Sequence, residues 1–120
     1  MDKLQTLHQF WSGFGLKAYD ENSVPDNAEL PYITYEAASD SFGNSVMQTA
    51  NLWYRSSGWS AITAKEKEIA EYITRGGCML AYDGGALWLQ MLSPWAQRMS
   101  EASDEMIRRI VLSYSIEFLD

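Results

Sequence analysis

The stretch Ser60–Leu92, SAITAKEKEIAEYITRGGCMLAYDGGALWLQML, decides the fold. Thr63 followed three residues later by Glu66 is a capping-box pattern, in which a hydroxyl and a carboxylate satisfy the free amide groups that open a helix. The spacing therefore predicts a helix starting near Ser60–Thr63. Ile62, Ile69, Ala70 and Ile73 fall on one face at helical spacing, while Lys65, Lys67, Glu68 and Glu71 point elsewhere. Arg75 is placed in the last turn, against the carbonyl end, and Gly76-Gly77 supply the left-handed geometry that stops a helix. Beyond them, Cys78–Tyr82 and Ala86–Leu92 are short apolar runs flanking Asp83-Gly84-Gly85, a loop suited to a tight hairpin. The stretch reads as a helix leading into a β-hairpin. Its apolar stripe has to be buried, so the helix is expected to pack across the hairpin's sheet.

Downstream, Ser93–Met106 (SPWAQRMSEASDEM) reads as irregular exposed backbone, with Pro94 ending the strand and Arg98 as the one cation of the segment. Arg98 is expected either to salt-bridge within that loop or to pair with a neighbouring molecule. Ile107–Leu119 alternates over a long span, with Ile110, Leu112, Tyr114, Ile116 and Phe118 facing one way and Arg109, Val111, Ser113, Ser115 and Glu117 the other. Its length suits a strand that crosses the whole sheet.

Upstream, Ser56–Trp59 is a turn in which Trp59 anchors the start of the central helix. Val46–Arg55 sets Ala50, Leu52 and Tyr54 on one face and Asn51, Trp53 and Arg55 on the other, where Trp53 and Arg55 either stack on each other or meet another subunit. Ala38–Ser45 is a turn or short loop, and Tyr32–Ala37 alternates as a half-buried strand. Tyr19–Pro31, with its prolines, acids and asparagines, is an exposed connection of a length that often carries contacts. In Met1–Gly15, the recurrence of Leu4, Leu7, His8, Trp11 and Phe14 predicts one amphipathic helix ended by Gly13 or Gly15. The order is α-β-β-α-β-β-β. The fold class is α+β, a single domain over residues 1–120 with a mainly antiparallel sheet of four to five strands and two helices packed on one side.

A chain of 120 residues suffices for one core, and 47% hydrophobic with 21% charged residues is the balance of a globular protein. The net charge of −7 argues against a basic surface for phosphate backbones. One cysteine, Cys78, excludes an internal disulfide and fits a reducing compartment. Apolar runs of roughly 18 residues are lacking, so neither a signal peptide nor a membrane span is predicted. Gly76-Gly77 and Gly84-Gly85 lack the context of a phosphate loop, and His8, the lone histidine, has no ligand-type residue at metal spacing beside it. The acids Asp20-Glu21 and Glu101 with Asp104-Glu105 read as solvated charge. No catalytic residue, cofactor or metal site is predicted. The 16 aromatic residues, five of them tryptophan, look more than a domain of this size hides, which points to a protein interface.

The succession FWSGFG (10–15), SVPDNAELPYITYE (23–36), LWYRSSGW (52–59), ITAKEKEIAEYI (62–73), DGGALWLQ (83–90), SPWAQRM (93–99) and DEMIRRIVLSYSIEFL (104–119) resembles the tail-terminator or head–tail joining proteins of long-tailed phages and prophages of Gram-positive bacteria. The resemblance covers nearly the whole chain. It implies a non-enzymatic virion protein that forms a homohexameric ring, caps the finished tail tube, ends its polymerisation and docks to the neck. Its implied partners are copies of itself, the tail tube protein and a neck or head-completion protein, with no membrane, at the tail–neck junction of the virion and in host cytoplasm during assembly. Ring closure needs two different patches per subunit, for which Tyr32, Trp53, Arg55, Trp59 and Arg98 are candidates. DNA would slide through an acidic bore without specific binding, and Glu36, Glu101, Asp104, Glu105 and Glu117 are candidates to line it. A neck adaptor and, from another class, a small-ligand-binding module walled by Trp and Tyr remain open alternatives.

Overall fold

A computed structural model of the protein describes residues 1–38, 44–100 and 104–119. Its elements are α1 (Lys3–Ser12), β1 (Lys17–Asp20), β2 (Tyr32–Tyr35), β3 (Ser45–Arg55), α2 (Ser60–Ile73), β4 (Cys78–Tyr82), β5 (Gly85–Met99) and β6 (Ile107–Leu119). The strands form one sheet in the order β1-β2-β3-β6-β5-β4. The β1–β2 pair is parallel and the others are antiparallel.

The α+β class and the two-helix layer agree with the sequence reading, but the sheet has six strands, not four to five. The extra strand is β1, so Tyr19 and Asp20 belong to a strand and not to the Tyr19–Pro31 connection. Only four residues long, Lys-Ala-Tyr-Asp is too short for alternation to register, and Ala18, opposite Ile33, is its one buried member. The connection then returns to the end of the sheet where it began, as a parallel pair requires.

Helix α2 begins where expected, but not by the expected device. Its N-cap is Trp59, without a side-chain cap bond. Thr63 already lies inside the helix, its N–H donating to the Trp59 carbonyl at 3.0 Å, and its buried hydroxyl has no hydrogen-bond partner among the described residues. The capping box belongs to α1: the Gln5 N–H donates to Asp2 Oδ1 at 2.8 Å, and the Asp2 N–H donates to Gln5 Oε1 at 3.0 Å. At the other end of α2, Thr74 takes the left-handed conformation (φ 67°), so Arg75 lies beyond the last turn. Gly77 (φ 84°) redirects the chain into β4.

Pro94 does not end a strand. β5 runs through it to Met99, with its pairing to β6 shifted between Met91 and Ala96. The reason is position. β4 pairs with β5 only over Gly85–Leu89, and beyond Leu89 the outer side of β5 has no partner strand among the described residues. An edge and an irregular register are where a residue without an N–H is tolerated.

Both helices cover the same side of the sheet. The inward row of β6, Ile110 to Phe118, is buried as predicted, with Ala50 and Leu52 of β3 and Leu87 and Leu89 of β5 beside it. From α1 come Leu7, Phe10 and Trp11, and Phe14 follows. From α2 come Ile62, Ile69 and Ile73. Trp11 is fully buried and packs on Tyr114 with ring centroids 5.3 Å apart. Leu4, expected to point inward, is 45% exposed, and Phe10 takes its share of the contact. His8 is exposed and sits with Nδ1 3.0 Å from the Tyr35 hydroxyl.

Candidate functional site

The other side of the sheet carries no helix. Alternation along β3 sends Met47, Thr49, Asn51, Trp53 and Arg55 to this side, opposite the buried Ala50 and Leu52. Register then places Trp53 between Tyr32 of β2 and Arg109 of β6. The Arg109 guanidinium lies 4.8 Å from the Trp53 ring centroid, and its Nε donates to Asn51 Oδ1 at 2.8 Å. Trp53 Nε1 donates to Thr34 Oγ1 at 2.9 Å. Tyr32 meets Tyr19 edge-on, with centroids 5.6 Å apart. The result is a polar-aromatic row running across four strands. The expected Trp53–Arg55 stack is replaced by Trp53–Arg109. Directly opposed residues on neighbouring strands come within about 5 Å, whereas second neighbours along one strand are roughly 7 Å apart.

A second group forms at the same end of the sheet, on the helix-bearing side. Trp59, at the start of α2, lies between the guanidinium groups of Arg98 at 4.8 Å and Arg108 at 5.3 Å from its ring centroid. Arg108 is anchored by Nη1 donating to the Glu105 carbonyl at 2.6 Å and Nη2 to the Ser57 carbonyl at 2.8 Å. Arg98 has no hydrogen bond or ion pair among the described residues. It makes a ring contact instead of the salt bridge expected of a loop, because its segment is a strand whose side chains have fixed directions.

Thus the five interface candidates divide into three settings. Tyr32 and Trp53 meet on the helix-free face, and Trp59 and Arg98 meet on the other. Arg55 donates from Nη1 to Asp104 Oδ2 at 3.1 Å. That bond joins an interface candidate to an acidic one. The Asp104 carboxyl is held below its ordinary value, first by the Met106 backbone N–H and then by Arg55. Glu36, just past β2, accepts from Thr49 Oγ1 at 2.6 Å, and Glu117 lies opposite Trp88 on the helix-free face. Glu105 is exposed before β6, and Glu101 lies outside the described residues. Glu36 and Glu117 share a face, while Asp104 and Glu105 occupy a different part of the molecule.

The aromatic surplus is smaller than composition suggests. Among the described residues, Tyr72 (61%) is the one aromatic counted with the exposed large hydrophobic side chains. Arginines lie against the rings of Trp53 and Trp59, and both rings are half-buried. Exposed apolar area comes instead from methionines that sequence reasoning passed over. Met47 (78%), Met79 and Met99 all lie on the helix-free face, opposite Ser115, Trp88 and Arg109 respectively. Met47 was legible as an outward position of an alternating strand, and its flexible thioether suits an adaptable contact.

The described residues hold no group of three His, Cys, Asp or Glu able to bind a metal. Burial pushes the Cys78 thiol up, away from the thiolate form. The groove bounded by Phe10, Phe14, Tyr72 and Leu80 is open to solvent and not a closed pocket. No helix among the described residues is long and apolar enough to cross a membrane. No protein-family model matches the chain. No curated protein matches it either. Among solved structures, a chain from the virion of a native gene transfer agent particle has the same fold, with a TM-score of 0.70 at 18% identity over 98% of this chain and 95% of that one.

Proposed function

We propose that this protein is a structural component of a phage-like virion and that it acts as a ring-forming tail terminator. The observation that carries the reading is the two-way coverage of the fold match: 98% of this chain aligns with 95% of a chain from a virion particle, so the likeness spans the whole fold described here and not one motif of it. The terminator assignment within the virion rests on the sequence resemblance. In this reading copies of the chain close into a hexamer on the end of the tail tube, block addition of tube subunits and present the opposite rim to the neck.

The geometry supports such a role physically. A subunit in a rotational ring needs two unlike surfaces, and the sheet offers unlike flanks and a helix-free face with exposed methionines. The carboxylates of Glu36 and Glu117 on that face, with the net charge of −7, suit a bore through which DNA moves without being held. The test is direct. Added to uncapped tail tubes, the protein should bind tube ends, stop elongation and appear as a hexamer by native mass spectrometry. Binding to DNA-filled capsids in place of tubes would make it a neck adaptor, and binding to neither would end the virion-joint reading.

A further inference from the structure

The two flanks of the sheet differ in charge. On one flank β1 is the edge strand, and the connection that follows returns beside it, so that Lys17 and Tyr19 face Pro25, Glu29 and Pro31 across a shallow pocket. Between Asp20 and Pro31 the chain has Asp20, Glu21, Asp26 and Glu29 and no Lys or Arg. Asp26 and Glu29 are exposed and make no hydrogen bond or ion pair among the described residues. Lys17 is the cation that borders this segment.

On the opposite flank β4 stops pairing at Leu89, and the outer side of β5 is open through to Met99. Arg98 is exposed here. Its guanidinium lies on Trp59, whose ring also meets Arg108. The contact holds the Arg98 guanidinium against the ring without using its N–H donors, which leaves them to bind carboxylates, for which the planar guanidinium is suited. Arg108 cannot serve in the same way, since its two terminal nitrogens are committed to backbone carbonyls. Four strand spacings, about 19 Å, separate β1 from β5 in the sheet order.

An acidic segment on one flank and an arginine on the other cannot meet within one molecule, but they can meet between molecules related by rotation. We propose that Arg98, held on Trp59, docks the Asp26–Glu29 segment of a second copy, so that the β5 flank of one subunit joins the β1 flank of the next. The proposal rests on the ring reading and supplies its missing element, which surface meets which. A DNA phosphate would also suit the Arg98 guanidinium, but the four acids of the other flank supply carboxylates on the same chain, and the net charge of −7 works against a polyanion.

Charge reversal tests the joint. Arg98→Glu and, separately, Asp26→Lys with Glu29→Lys should each weaken self-association on the order of 10-fold to 100-fold, as read by sedimentation and native mass spectrometry. Mixing the two variant proteins should restore rings, because subunits that alternate bring opposite charges together at every joint. Both variants alter exposed side chains on separate flanks, and a thermal melt checks each fold independently; should one fail to fold, the other still reports. Rings that survive both reversals, or a mixture that fails to assemble, overturn the inference while leaving the ring reading intact. Wild-type chains that stay monomeric both in solution and on tail tubes overturn the ring reading and the inference with it. A ring unchanged by Arg98→Glu but with weaker DNA retention assigns Arg98 to phosphate and also overturns it.

Discussion

The two faces of the sheet are made from alternate residues of the same strands, yet they are held together by different physics. On the helix-bearing face Leu52, Leu112, Tyr114 and Phe118 are fully buried, and their contribution is the removal of apolar surface from water. On the other face Trp53, Arg109, Asn51 and Thr34 form an interlocked set of a stacked cation and two side-chain hydrogen bonds. The first face holds the chain in one structure. The second carries no helix, and its order comes from side-chain contacts between neighbouring strands.

Two tryptophans put that contrast to its hardest test. Trp11→Ala should cost about 3–5 kcal/mol in urea unfolding, because the ring is fully buried among Phe10, Phe14 and Tyr114 and its removal leaves a cavity the helices cannot close. No substitution on the helix-free face should cost as much. A loss below about 1 kcal/mol would mean that α1 adds little to the core.

Next in size is a residue that links the two faces. A Cβ on Gly77 would lie 2.6 Å from Trp88 Nε1 and 2.7 Å from the Leu89 carbonyl oxygen, at a φ that side chains disfavour. Trp88 belongs to the helix-free face and donates from Nε1 to the Gly76 carbonyl at 3.0 Å, so the turn leaving α2 is clasped from the far side of the sheet. Gly77→Ala should cost about 2–4 kcal/mol, combining backbone strain and overpacking. Gly76→Ala meets nothing within 4 Å and serves as the control. Similar melting temperatures for the two variants would show that the clasp is loose.

The contrast between the faces also explains what the sequence disclosed. Burial in β6 follows a thirteen-residue alternation, Ala50 and Leu52 of β3 keep the inward parity although Asn51 between them is buried as well, and α2 follows a 3-and-4 spacing of isoleucines, so these elements and their inward rows were readable. β1 was not, since four residues carry too little pattern. The second half of β5 was hidden because Pro94 signals a stop to any local reading, and only the sheet order reveals that the position is an edge. That Tyr32 and Trp53 project from one face was legible from parity. The Trp53–Arg109 stack and the Trp59–Arg98 stack were not, because each depends on which strands become neighbours and in what register, information that no short window contains.

Trp53→Ala removes the same side chain as the Trp11 variant but from the other face. It should cost only about 1–2 kcal/mol, the sum of one cation–π contact and one hydrogen bond. If the helix-free face is an assembly surface, ring formation should fall further than this stability loss accounts for. A loss matching that of Trp11→Ala would erase the distinction between a face that folds and a face that binds.

The smallest effect concerns the rim where the helix-free face ends. Asp104 accepts from the Met106 N–H at 2.8 Å and from Arg55 at 3.1 Å, and both hold its carboxyl below the ordinary value. A group whose folded pKa is depressed contributes stability above its unfolded value, near 4, and loses it as pH falls through the folded value. Thermal melts of the wild type should therefore decline a little more steeply on the acid side of about pH 4 than those of Asp104→Asn. The pair is exposed to solvent, so the difference is modest and shrinks with added salt. The backbone N–H is the largest single cause, and it survives in Arg55→Ala, which removes the side-chain hydrogen bond and the nearby charge. That variant should keep part of the extra acid-side decline, whereas Asp104→Asn removes that extra part. An Arg55→Ala protein as flat as Asp104→Asn would instead place the main hold on Asp104 in the side chain of β3 and make this rim an extension of the helix-free face.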